Sequence, residues 1–388
     1  MRIGIEGQRL FRSKKHGMDI VALELVRNLQ KLDKENEYVV FIKPDKDDRV
    51  LEATDNFKIV MLEGSSYPFW EQVLLPRAAK KYDCDILHCT SNTAPVLTNI
   101  PIITTLHDII YLEKSYGQIL GSSATSYQKL GNVYRKILVP TVLKKSIKVI
   151  TVSKFEKQYI SEFFRLEEKN NISAVYNGVG THFKPVRDTQ ELQRVRCKYN
   201  LPDQFFFFLG NTDPKKNTKG TLKAYSKYRR QHPSDYKLVM PDYNFSELRK
   251  MTREIGDPDL INHILLTGYV QNADLPAIYS LCSIFLYPSL RESFGIPILE
   301  AMSCGVPVIT SNTSSMPEVS GGAAYLVDPF VFNEITTGMV ELIDNSTLRA
   351  ELISKGLKRA KKFSWEAMAR EVLELYKSIG NNKISVAI

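Results

Sequence analysis

A chain of 388 residues exceeds what one ordinary hydrophobic core supports and fits two domains of roughly 150–200 residues, so two lobes with a cleft between them are expected. With 43% hydrophobic and 24% charged residues and no low-complexity tract, disorder is excluded, and no window offers the ~18 uncharged apolar residues of a spanning helix. The net charge of +9 is concentrated: Lys114 to Phe155 holds no acidic residue but carries Lys114, Lys129, Arg135, Lys136, Lys144, Lys145, Lys148 and Lys154, which nucleic acid, an anionic membrane surface or an acidic substrate would each explain.

In chain order, RIGIE (2–6) reads as a strand, and the apolar run it belongs to is too short for a signal peptide, so a cytoplasmic protein is expected. The loop GQRLFRSKKHG (7–17) ends at Gly17, directly before Met18, Val21, Ala22, Leu25, Leu29 and Leu32 at helical spacing. A glycine there either lets an anion approach free N–H groups or serves only as a turn. Gly4 and Gly7 do not form the G-x-G-x-x-G fingerprint, and no G-x-x-x-x-G-K-[ST] is present, which weighs against a nicotinamide dehydrogenase and a P-loop enzyme.

Strand-like YVVFI (38–42), KIVML (58–62), DILHC (85–89), PIITTL (101–106), KVITV (148–152) and NISAV (171–175) follow, several separated by helical stretches. That alternation is the pattern of a parallel sheet covered by helices. Cys84, His88 and Cys89 lie together but no second ligand pair follows, and five cysteines in all suit reduced thiols. His107-Asp108 stands at the carboxyl end of a strand, where the histidine can donate to a sugar or phosphate oxygen or be a surface residue beside a capping aspartate.

After a charged segment near 184–200 without clear periodicity, a second series comprises FFFFLG (205–210), KLVM (237–240), HILLTGYV (263–270), SIFLYPS (283–289), PVIT (307–310) and AAYLV (323–327). Two doubly wound halves follow, with ligands expected beyond the carboxyl ends of the strands. The loop NTDPKKN (211–217) there offers Lys215 and Lys216 to anionic oxygens. Three D-x-D matches, Asp45/Asp47, Asp83/Asp85 and Asp257/Asp259, are either in hydrophilic loops or ahead of a strand, so no metal role is assigned to them.

In RESFGIPILEAMSCG (291–305), Glu292 belongs to a loop after a strand, Pro297 suits the first turn of a helix over roughly 296–304, and Gly305 suits its end. Free N–H groups near Gly295 and Ile296 favour a phosphate or a sugar hydroxyl. Eight residues at about 1.5 Å rise would set Glu292 and Glu300 roughly 12 Å apart on an ideal helix, beyond the separations of glycosidase carboxyl pairs. Two separate contacts on one extended ligand fit better.

Residues 268–329, with Glu292 and Glu300 as an E-x7-E motif, resemble the donor-binding half of family 4 retaining glycosyltransferases. LHD (106–108), TVSKFEK (151–157), VYNGVGTHFKP (175–185), LGNTDPKKNTKGTLKAY (209–225) and FSWEAMAREVLELY (363–376) extend the resemblance over essentially the whole chain. It implies an α/β GT-B fold: two Rossmann-like domains with parallel sheets facing a central cleft. An acceptor-binding domain would span 1–185, completed by a helix at about 364–388, and a nucleotide-sugar-binding domain 186–363.

By position, the resemblance assigns His107 and Glu292 to the transferred sugar, and Ser293, Phe294, Gly295 and Ile296 to sugar and diphosphate. It assigns Lys216 to the diphosphate, Glu300 to the ribose, Tyr269 and Val270 to the base, and Gly17 to the neighbourhood of the phosphates. Asn211, among the donor-binding positions, stands where many relatives have an arginine, and Gly17 stands alone where a pair of glycines is commoner. Retention without a metal or other cofactor is implied, and with no nucleophile in sight front-face displacement is the expected course. The implied partners are a nucleoside-diphosphate sugar, here GDP-mannose over a UDP-hexose, and a glycan or lipid-linked acceptor in cell-surface polysaccharide synthesis. The basic segment 114–155 is either a peripheral contact with an anionic membrane beside the acceptor or a simply solvated face. A non-catalytic carbohydrate- or nucleotide-binding protein on the same fold is the alternative; a nucleic-acid binder would need recognition modules that are missing.

Overall fold

The computed structural model describes residues 1–64, 66–113, 115–121, 125–166, 171–232 and 235–386; Lys114 of the basic segment lies outside them. The chain divides into two compact units, Met1–Gly178 with Trp365–Ile388, and Val179–Ser364. The break falls a few residues before the expected 185/186. Val179 bridges to Ser364, Val186 N–H donates to Ser280 Oγ at 3.0 Å, and Phe183 sits edge-on to Tyr279, so 179–186 is already part of the second core.

The first unit is built on β1 (Arg2–Glu6), β2 (Glu37–Ile42), β3 (Phe57–Met61), β4 (Ile86–Cys89), β5 (Ile102–Thr105), β6 (Ser146–Thr151) and β7 (Ile172–Ala174). They form one parallel sheet in the order β3-β2-β1-β4-β5-β6-β7. Parallel strands covered on both faces read as continuous apolar runs, as the fully buried ILHC of β4 does. The order turns around between β1 and β4, so the loops leaving their carboxyl ends run to opposite sides and leave a crevice there.

The helix Trp365–Val386 completes this unit by packing on the helix Gly17–Leu32. Its Tyr376 is fully buried, with the hydroxyl 2.6 Å from His88 Nδ1, and His88 Nε2 is 2.8 Å from Thr105 Oγ1. Burial pushes the His88 pKa down to about 3, so the ring is neutral, one nitrogen donating and the other accepting. The cluster of Cys84, His88 and Cys89 thus resolves into two buried thiols and a histidine clamped between a sheet and the last helix.

The second unit carries β8 (Phe205–Phe208), β9 (Lys237–Met240), β10 (Ile264–Leu266), β11 (Ile284–Tyr287), β12 (Val308–Ser311) and β13 (Tyr325–Val327), again parallel, in the order β10-β9-β8-β11-β12-β13. Phe206, Phe208, Tyr225, Tyr228, Leu286 and Ile309 are among the residues of its main core. Here the reversal lies between β8 and β11. The segment near 184–200 contains a helix, Thr189–Tyr199, that periodicity did not reveal. Only Val195 and Tyr199 are buried on it, Asp188 caps it, and Arg194 and Lys198 pair with Asp274 at 2.5 and 2.7 Å.

Replacing Tyr376 by Phe keeps the ring packing but leaves a buried His88 nitrogen without its partner. The expected loss is about 1–3 kcal/mol in the unfolding transition of the first unit, measured by urea denaturation; an unchanged midpoint would show that the clamp is not stabilising.

Candidate functional site

In the second unit, the loops after β8 and β11 leave on either side of the topological reversal, and a set of hydrogen bonds ties them together. Asp213 Oδ1 accepts from Lys215 N–H at 3.1 Å and shapes the single 3-10 turn Pro214–Lys216. Asn217, in the left-handed region at φ 55°, reverses the chain, and its Nδ2 donates to the carbonyls of Pro288 at 3.0 Å and Pro329 at 2.7 Å. Leu290 N–H donates to Lys215 O at 2.7 Å. The expected donor residue Asn211 shapes the same loop, its Oδ1 accepting from Asp213 N–H at 2.9 Å and its carbonyl from Thr218 Oγ1 at 2.8 Å.

Lys216 and Glu292 meet where these loops join. The Lys216 ammonium donates to Glu292 Oε1 at 2.6 Å and to the Tyr287 hydroxyl at 2.8 Å, and lies 4.6 Å from the Tyr287 ring centroid. The side chains are only 15% and 10% exposed. Burial alone would raise the Glu292 pKa, but the charges of Lys216 and Lys215 outweigh it and hold the carboxyl below its ordinary range. An ammonium has three donors, and two are spent on Glu292 and Tyr287, leaving one for a ligand oxygen.

The backbone around Glu292 is fixed as well. Its N–H donates to Ser314 Oγ at 3.1 Å, and Ser315 Oγ donates to the carbonyls of Glu292 and Phe294 at 2.9 and 3.0 Å. Ser293 is half-buried, Phe294 is buried, and Gly295 enters the helix Ile296–Ser303 at φ 97°. An L side chain is disfavoured there, and an added Cβ would stand 3.1 Å from Ile298 Cδ1. The helix has no acidic residue in its first turn and buries Ile298, Leu299, Ala301 and Met302, so its amino end carries the uncompensated positive end of the backbone dipole.

Glu300, further along that helix, is not joined to Glu292. Its Oε2 accepts from Tyr279 OH at 3.1 Å, and burial, only partly offset by that bond, pushes its pKa up to about 7. Tyr269 and Val270 follow β10; Tyr269 is 64% exposed and Val270 is buried.

In the first unit, His107 is buried just past β5. Its N–H donates to Asn92 Oδ1 at 2.6 Å, and its Nε2 lies 3.0 Å from the Thr90 carbonyl. Since a carbonyl only accepts, Nε2 carries the proton, and burial keeps the ring's pKa below normal. The Nε2–H of His107 is thus spent on Thr90, and its other ring nitrogen, Nδ1, is left as an acceptor. Glu6, buried at the end of β1, accepts from Thr90 N–H and Oγ1 and from Gln8 N–H, fixing the loop that carries Thr90.

Gly17 opens the helix Gly17–Leu32 with nothing within 4 Å of where a Cβ would stand. His16 is the cap, and the buried Asp19 carboxylate accepts from His16 N–H at 3.0 Å. A carboxylate at this helix end compensates the dipole that a phosphate would use, which sets it apart from the helix start at Ile296.

Sequence reasoning missed Tyr287, Asn217, Ser314 and Ser315. A tyrosine closing the apolar run SIFLYPS, and an asparagine directly after the lysine pair, were the available signals. Of the D-x-D carboxylates, Asp47 pairs with Lys15, Asp85 accepts from Arg2 N–H at 2.8 Å and Asp257 from Ser226 Oγ at 2.5 Å. Among the described residues, no group of three or more His, Cys, Asp or Glu is arranged to hold a metal ion.

Two doubly wound parallel sheets, with a basic loop and a helix amino end meeting at the reversal of the second, define the GT-B class. A crystal structure of a glycosyltransferase from Rickettsia africae superposes with a TM-score of 0.73 at 20% identity, covering 98% of this chain and 99% of that one. The Anabaena HepE structure in complex with UDP and glucose superposes with a TM-score of 0.72 at 16% identity, covering 97% and 100%. At such identities the likeness establishes the fold alone. Residues 16–183 match the family described as Glycosyltransferase Family 4, and residues 189–359 match Glycosyl transferases group 1. The chain belongs to the family 4 glycosyltransferases. The Escherichia coli O-antigen chain mannosyltransferase B is 33% identical over 230 residues, 59% of this chain and 60% of that protein. The match spans less than two thirds of the length of the first curated relatives.

Glu300 provides a test of the site's electrostatics. Its folded pKa of about 7 stands above the ordinary 4.5, so the stability it contributes is complete below the ordinary value and is lost as pH rises through about 7. Glu300→Gln should match the wild type near pH 5 and be more stable than it at pH 8 in thermal melts; parallel profiles across that window would contradict the shift.

Proposed function

We propose that the chain is a retaining glycosyltransferase that moves a hexose, mannose in our reading, from a nucleoside-diphosphate sugar to a glycan or lipid-linked glycan acceptor in cell-surface polysaccharide synthesis. The observation that carries this reading is the Lys216 ammonium, aimed by Glu292 and Tyr287 in the same loop cluster as the helix start at Gly295 and Ile296. The pairing supplies a point charge and backbone N–H groups suited to a leaving diphosphate. The Escherichia coli relative, a mannosyltransferase, supports mannose as the sugar, and the UDP bound in the Anabaena HepE structure supports a nucleoside diphosphate as the donor class.

In this reaction the bond between the anomeric carbon and the diphosphate oxygen breaks, while the acceptor oxygen bonds to the same face of that carbon. The acceptor's proton passes to the departing diphosphate. Lys216 and the helix start stabilise the charge that develops, and no metal is required. Glu292, held ionised, accepts from a hydroxyl of the transferred sugar, and Glu300 from the ribose. His107 Nδ1 takes a sugar hydroxyl as acceptor, and Ser293, Phe294, Tyr269, Val270 and Asn211 line the donor's path. The second unit holds the donor and the first the acceptor. The protein's share is positioning and electrostatic stabilisation.

Nucleotide release should be measured with a panel of GDP- and UDP-sugars. Glu292→Ala and Lys216→Ala should each lower turnover about 100-fold or more with circular dichroism unchanged, and EDTA should have no effect. A fully active double variant would overturn the assignment, and abolition by EDTA would overturn its metal-free part.

The same reading places the first unit at the inner face of an anionic membrane. No helix of the described residues is long and apolar enough to cross a membrane, but the helix Ser126–Lys145 exposes Leu130 at 68% and Ile137 at 59%, two turns apart on one face. Part of the basic segment is spent inward: Lys136 donates to Leu112 O, Lys145 to Val96 O, and Arg135 lies over Tyr111. Lys144 stays exposed and Lys129 partly so, and near an anionic bilayer each such lysine is worth about 1 kcal/mol. Sedimentation with phosphatidylglycerol vesicles should show binding that high salt removes and that Leu130→Glu with Ile137→Glu abolishes; the absence of salt-sensitive binding would discard this part.

A further inference from the structure

The loops that follow β9 and β10 are held side by side. Asp242 N–H donates to the Gly268 carbonyl at 2.9 Å, and Thr267 Oγ1 donates to the same oxygen at 3.1 Å. Both residues joined by the first bond have left-handed backbones, Asp242 at φ 48° and Gly268 at φ 69°. No atom lies within 4 Å of where a Cβ on Gly268 would stand, so the floor beside it is open, and the next residue, Tyr269, presents an exposed ring.

The neighbours of Asp242 have structural tasks. Tyr243 packs into the main core of the second unit, and Asn244 caps the helix Phe245–Glu254 by accepting from the N–H groups of Ser246 and Glu247 at 2.9 and 3.1 Å. The Asp242 carboxylate is exposed and forms no hydrogen bond or ion pair among the described residues. The main chain that carries it is fixed, because the Asp242 backbone N–H is tied to Gly268. A flat ring resting on Gly268 and Tyr269 would present an edge to the side of the loop that carries Asp242, whose backbone is tied to Gly268.

We infer that Asp242 reads the Watson–Crick edge of a guanine base, and so selects GDP over UDP as the nucleotide of the donor. This inference rests on the glycosyltransferase reading and sharpens it to one nucleotide. A carboxylate is an acceptor only, and guanine offers it two donors side by side, N1–H and the exocyclic amino group. Uracil offers a single N3–H between two carbonyl oxygens, which an anion repels. Stacking on an aromatic ring accepts any base and cannot discriminate by itself. A site built to pair with two donors rejects a base that lacks them, because its own polar atoms are then left unpaired.

Binding of GDP and of UDP to the full chain should be measured by isothermal titration calorimetry for the wild type, Asp242→Asn, Asp242→Ala and Lys216→Ala. Asparagine tolerates the left-handed backbone as aspartate does, so the first variant changes the charge and one acceptor without disturbing the loop. The wild type should bind GDP at least tenfold more tightly than UDP. Both Asp242 variants should lose about 10–100-fold for GDP while UDP binding is unchanged or improved, and Lys216→Ala should weaken both nucleotides alike. Unchanged GDP affinity in the two variants, a parallel loss for GDP and UDP, or a wild type that prefers UDP would each overturn the inference and leave the glycosyltransferase reading standing. A wild type that binds neither nucleotide would instead overturn that reading.

Discussion

A lysine and a glutamate withdrawn from water 2.6 Å apart are tolerated only when the rest of their hydrogen-bonding capacity is met. In the second unit this requirement organises everything around it. Lys216 is on a one-turn helix that Asp213 shapes and Asn217 terminates, and Asn217 reaches across to the strand-end loops at Pro288 and Pro329. Glu292 is pinned through its backbone by Ser314 and Ser315. The ion pair therefore closes a structure already sewn shut from several sides, and its worth is a fixed geometry more than net stability.

The two helix starts at Gly17 and Gly295 differ in charge. Gly17 opens a helix whose first turn holds a buried carboxylate, whereas Gly295 opens one without any acidic residue in its first turn. The first is suited to neutral hydroxyls, and the second to an anion. The two carboxylates of the E-x7-E motif are likewise separated by environment. Lysines keep Glu292 ionised, and burial raises Glu300 until it titrates near pH 7. One spacing in the sequence thus holds two different proton affinities.

Much of the fold was legible because parallel strands buried on both faces must be apolar along their length. All thirteen expected strand segments appear, with ends displaced by one to a few residues, as does the helix after Gly295. The helix Thr189–Tyr199 escaped notice because only two of its residues are buried, and its charged face is held by Asp274, far along the chain. The site was legible where a motif names its residues, Lys216 and Glu292, but the sequence assigned them separate contacts on a ligand and did not show that they pair with each other. What could not be read were contacts made by folding alone. The hydroxyl of Tyr287 under Lys216 and the Thr90 carbonyl that fixes the tautomer of His107 both come from segments distant in sequence.

The last helix, Trp365–Val386, belongs to the unit that the first strand begins, and its Tyr376 fills a place beside β4. The second unit, by contrast, is a single uninterrupted stretch of chain. During synthesis from the amino end, the first sheet must therefore wait with one flank uncovered until the whole second unit has left the ribosome. The order of emergence and the order of completion are reversed, so the half that is made first is the half that finishes last.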